Sequence, residues 1–69
     1  MSAEQWALDN AAGRQLAAGL IEQAGDNLLL LAAGLRQAPR GDNGRAVGWS
    51  FEIAERLLSL KNSALGVTL

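Results

Sequence analysis

Glu52 and Glu55 stand three residues apart in the second half of the chain, close enough on one helix face to be drawn as a general acid and a general base. Arg56 lies alongside them. Two carboxylates with an arginine on a polar stripe are better explained as a solvated helix face than as a catalytic pair. Lys61, between Ser59 and Ser63, has the makings of a Ser-Lys dyad, but an exposed helical lysine keeps its proton and cannot act as a base. Gly41 and Gly44 flank a turn without the Gly-Lys-Ser/Thr that a phosphate-binding loop requires. Histidine and cysteine are both absent, which removes disulfides and nearly all transition-metal chemistry. The expectation is a protein without catalytic residues, cofactor or metal.

Other side chains suit binding. Trp49 falls where the apolar side of the last helical segment meets Arg45 and Glu52, so its ring is expected to be partly exposed, either as a contact anchor or as a cover over one end of a helical bundle. Phe51 projects beyond the main apolar face near Val47, placed to seal a dimer or to face a partner. Arg40 and Arg45 could pair with acidic groups or phosphates. With Arg36 they form a basic tip around the only proline, opposed there by Asp42 alone. A formal charge of −1 over the whole chain argues against a general polyanion binder, so nucleic acid is not the expected partner.

Helices must position these residues. Ser2 followed three residues later by Gln5 forms a capping box that starts a helix at Ala3. Asn10 and Gly13 weaken that helix, so residues 1–12 are set apart as an arm or short helix and a kink is expected near Gly13. From Arg14 the helical period places Leu16, Leu20, Ala24, Leu28, Leu31 and Leu35 on one broad stripe, with Gln15, Glu22 and Asp26 opposite. Gly13, Ala17, Ala24 and Gly25 lie close to that stripe, either allowing close helix approach or accommodating leucines opposite. Pro39 ends this helix because the residue before a proline is pushed out of the α region. The turn formers Arg40-Gly41-Asp42-Asn43-Gly44 then reverse the chain. Asp42 or Asn43 caps a second helix from Ala46 to Leu65. It carries Ala46, Ser50, Ile53, Leu57, Leu60 and Ala64 on one side, and Val47, Ala54, Leu58 and Leu65 on the adjoining side. Gly66 follows as a helix-ending residue, and Val67-Thr68-Leu69 as an apolar tail. Residues 13–69 thus read as an all-α antiparallel helical hairpin.

The stretch Leu28-Leu29-Leu30-Leu31-Ala32-Ala33-Gly34-Leu35 makes that hairpin incomplete. At about 100° per residue, four consecutive leucines wrap most of a helix, and one neighbour covers only one side. A chain of 69 residues buries too little apolar surface to be comfortably stable alone, and without cysteine or histidine the remaining aid is oligomerisation. The expected assembly is a homodimer, two hairpins forming a four-helix bundle, with Leu28, Leu29, Leu30, Leu31, Leu57 and Leu58 at the interface and Trp49, Phe51, Arg45, Glu52 and Arg40 facing a partner. The Leu29 and Leu30 face serves either as dimer core or as partner surface. The N-terminus lacks the order of a signal peptide and the leucine run is too short to span a bilayer, so a soluble cytoplasmic location without membrane contact is expected.

A leucine-rich helix, a polar turn, and then Trp49-Ser50-Phe51-Glu52-Ile53-Ala54-Glu55-Arg56-Leu57-Leu58 is similar to small helical-hairpin proteins of pseudomonads. In length and type the chain also resembles a phage-encoded anti-activator of quorum sensing, over roughly residues 14–65 and on motifs that any compact hairpin would share. That resemblance implies an inhibitor in the host cytoplasm that binds a LuxR-type transcription activator and blocks its DNA binding, with a second action on the type IV pilus assembly ATPase. Two other readings stand beside it. One is a small dimeric nucleic-acid-associated regulator using the basic inter-helix turn, and the other is a structural adaptor of a larger assembly.

Overall fold

The structure is a computed structural model that describes residues 2–40 and 43–64. Its described residues form three helices, α1 (Ala3–Ala24), α2 (Leu28–Leu35) and α3 (Asn43–Ala64). The all-helical class and the packing of two long helices on each other agree with the sequence. Asp42 as a cap, and Leu65, Gly66 and the apolar tail, lie outside the described residues.

Ser2 caps α1 as expected, its hydroxyl accepting from the Gln5 backbone N–H at 3.1 Å. The second half of the capping box does not form, because the Gln5 amide turns forward to donate to the Asp9 carboxylate at 3.0 Å. No kink follows at Gly13. Residues 3–12 are the first turns of one continuous helix, and Gly13 sits where the Arg45 carbonyl of α3 presses against α1. A Cβ at Gly13 would run into that carbonyl, and a Cβ at Gly48 into the Asn10 carbonyl. Glycine on both helices therefore sets the close approach of their backbones.

The single helix expected to run up to Pro39 is broken well before it. Gly25 adopts φ 58, in the left-handed region that L side chains rarely adopt, while its N–H still closes on the Ile21 carbonyl at 2.9 Å. Asn27 then starts a new helix, its side-chain oxygen accepting from both Leu29 N–H and Leu30 N–H. The leucine run thus opens α2, a separate two-turn helix, instead of forming the last turns of α1.

This break changes the topology. Asn10 donates to the Gly44 carbonyl, Arg14 reaches Glu52 and Glu55, and Asp26 meets Arg56. The pairing rises along both helices together, so α1 and α3 run in the same direction. The expected antiparallel polarity is therefore corrected. By Gly44 the chain is back beside Trp6, Asp9 and Asn10, in the first half of α1.

The core is small: Ala17, Leu31, Trp49 and Ile53 are buried, with Leu20, Ile21, Ala24, Leu35, Ala38, Leu57 and Leu60 packed around them. Leu16, expected on the dry stripe, is exposed, and Ala17 and Ile21 take the inward positions. Leu20 and Ala24 of the expected stripe keep their inward places, so the inward face of α1 is turned by only about half a residue from that reading, as α1 meets α3 along its length.

Candidate interaction surfaces

Trp49 lies in the core. Four residues before Ile53 it sits only about 40° around α3 from that residue, so the two share a face. It is 9% exposed, and its indole N–H donates to the Gly34 carbonyl at 2.7 Å. The expectation of a partly exposed ring between Arg45 and Glu52 is corrected on both burial and direction. Leu31, expected at the dimer interface, has no exposed surface and is the central residue that α2 contributes to the core. Leu57 is half-buried and packs against the same core.

Glu52 and Glu55 do come together, with Arg14 of α1 as the group that joins them. Arg56, expected beside the two carboxylates, instead reaches Asp26 at 2.7 Å at the other end of the helix pair. Arg14 also stacks over the Phe51 ring, its guanidinium carbon 5.1 Å from the centroid. With Glu55 exposed and Arg14 44% exposed, this is an ion-paired patch on open surface. The signal for Arg14 was absent from local spacing, since its partners lie 38 and 41 positions away. No group of His, Cys, Asp or Glu suited to a metal occurs among the described residues, and no described helix is long and apolar enough to cross a membrane. Arg40 and Arg45 are exposed.

Two apolar surfaces remain open. On α2, Leu28, Leu29 and Leu30 are exposed, Leu29 the most of the large apolar side chains among the described residues at 82%. Leu29, Ala32, Ala33 and Arg36 line a shallow depression there of about 290 Å³. On α3, Val47, Phe51 and Leu58 are each about half exposed, and Val47 and Phe51 border a second shallow groove with Ala46, Ser50 and Ala54. The α2 helix that presents this surface is capped at one end by Asn27 and anchored on its inner side by Leu31 and Gly34.

Compared with known proteins, the chain matches no family model, no curated protein and no solved structure.

Proposed function

We propose that this is a non-enzymatic protein-binding module whose partner is taken on the leucine face of α2. The observation that carries the reading is Leu29, 82% exposed between the half-exposed Leu28 and Leu30 on a helix whose other side is locked into the core. Contiguous exposed apolar surface on a small domain marks an interaction site, and preorganisation spares the partner the cost of ordering it. Glu52 and Glu55, the best-spaced carboxylates in the chain, are taken up by Arg14. The resemblance to a phage anti-activator supplies the particular partner in this proposal, a LuxR-type transcription activator, with the pilus assembly ATPase as the second.

The test is capture by a tagged full chain of purified LuxR-type activator and pilus ATPase, alongside mass spectrometry of what the chain retains from a bacterial extract. Leu29→Asp should remove the retained protein while leaving the helical signal unchanged. Retention unaltered by Leu29→Asp overturns the α2 surface. An eluate of nucleic acid without protein supports the alternative of a nucleic-acid-associated regulator instead.

A further inference from the structure

The second apolar surface has a regularity that the first lacks. Along α3, Gly44, Val47, Phe51, Ala54, Leu58 and Lys61 recur at spacings of three and four, the a/d pattern of a helix seam. By helical rotation this stripe lies well over 90° around α3 from Trp49 and Ile53, so it is separate from the face that packs on α2. At the Gly44 end the stripe runs under α1: Gly44 is buried, and a Cβ there would lie 2.8 Å from the Asp9 Cβ and 2.9 Å from the Trp6 carbonyl, so α1 rather than α3 supplies the side chain at that end. Asp9 thus stands in for a side chain at that seam position. Among the described residues its hydrogen bond comes from the Gln5 amide, and Lys61 at the other end of the seam has no carboxylate partner.

We propose that a second copy of this chain docks antiparallel along this stripe, with a twofold axis passing between Phe51 and Ala54. In that register every layer is complementary. The large Phe51 meets the small Ala54 of the second copy, Val47 meets Leu58, and Asp9 at the Gly44 position meets Lys61, each layer occurring twice by symmetry. A parallel arrangement would set Phe51 against Phe51 and Lys61 against Lys61, opposing two bulky rings and two like charges. One charged residue at each end therefore selects both orientation and register. The docking uses none of the α2 leucines, so a dimer would carry two copies of the α2 face on separate surfaces.

Light scattering and sedimentation of the full chain test this. The wild type should show twice the 7.2 kDa mass of one chain. Ala54→Asp, at an exposed position, should return it to a monomer of unchanged helicity, whereas Leu29→Asp should not. Lys61→Asp should weaken association about tenfold or more, as opposing rim charges do, and adding Asp9→Lys should restore it. Because the chain has no cysteine, Val47→Cys with Leu58→Cys gives a direct readout: oxidation should link two chains through unlike positions, and Ala54→Cys alone should link poorly. A mass of one chain at concentrations on the order of 100 µM, where even a weak specific dimer forms, overturns the proposal. So does a dimer insensitive to Ala54→Asp, or efficient linkage through Ala54→Cys alone. The α2 reading is tested by a different helix and a different partner, so either can fail without the other.

Discussion

The indole N–H of Trp49 donates to the backbone carbonyl of Gly34 at 2.7 Å, joining α3 to α2 across fifteen residues inside the core. Leu35 is the last residue of α2, so its final carbonyls have no partners within the helix. The Gly34 carbonyl accepts from the Gln37 N–H as well as from the indole. The tryptophan therefore does two things: it supplies the largest apolar body in the core and fixes where α2 stops relative to α3. Gly34 permits this, since a Cβ there would press on Leu20 at 2.8 Å.

Trp49→Phe keeps most of the apolar body and removes the donor, leaving a buried carbonyl short of one bond. It should cost about 1–3 kcal/mol. Trp49→Ala should cost about 3–5 kcal/mol, because the cavity term is added. Urea titration of the two variants against wild type checks the ordering. A Trp49→Ala loss no larger than that of Trp49→Phe would mean the ring contributes little beyond its hydrogen bond.

Glycine at 13 and 48 and glycine at 19 should respond in opposite directions to the same substitution. Gly13→Ala and Gly48→Ala place a methyl group against a backbone carbonyl of the facing helix, so α1 and α3 must separate. Overpacking of this kind costs about 1–3 kcal/mol. Gly19 is helical with nothing within 4 Å of its would-be Cβ, so Gly19→Ala should stabilise by roughly 0.5–1 kcal/mol through helix propensity alone. Thermal melts of the three variants decide it.

Legibility in the sequence followed how local each cause was. The Ser2 cap, the all-helical class, the inward Ile53 and Leu57 stripe and the apolar excess of the leucine run are local patterns of side chains, and they could be read. The break at Gly25 could also have been read, because Gly25-Asp26-Asn27 is a cluster of turn formers whose asparagine directly precedes an apolar run. Against it stands the apolar stripe from Leu16 to Leu35, whose helical spacing runs unbroken across that cluster. A single helix up to Pro39 with one turn after it gives antiparallel neighbours, whereas the break at Gly25 adds a second reversal and leaves α1 and α3 parallel. Arg14 with Glu52, and Asp9 beside Gly44, depend on the packing of α1 against α3 and have no local signature.

Asn27 makes α2 possible, so its loss should be felt beyond its own side chain. Its oxygen satisfies two N–H groups of the first turn, Leu29 at 3.1 Å and Leu30 at 3.2 Å. Asn27→Ala should destabilise by about 0.5–2 kcal/mol, and Asn27→Asp should retain most of the cap because the acceptor survives and a negative charge suits a helix N-terminus. Hydrogen exchange of the α2 amides should rise in the alanine variant more than that of α1. Uniform loss of protection across both helices would show that α2 does not open as a separate unit.

Leu29 and Leu31 are the same residue type two positions apart on α2, about 160° from each other around the helix axis. Leu31 has no exposed surface, whereas Leu29 is 82% exposed. Truncating Leu31 removes core atoms and leaves a cavity, so Leu31→Ala should cost about 2–5 kcal/mol and lower the melting temperature in a domain with so small a core. Leu29→Ala removes surface that water already covers and should change stability by no more than about 0.5 kcal/mol in either direction. Binding should show the reverse order, because on the α2 surface Leu29 is the residue a partner would desolvate. For a true anchor, its truncation should cost about 2 kcal/mol or more of affinity. Leu31→Ala, measured well below its melting temperature, should cost less affinity than Leu29→Ala, because it loosens the support of the surface without removing a contact side chain. Equal stability losses in the two variants would mean that Leu29 is covered in the folded chain, and the proposed surface would then have to be given up.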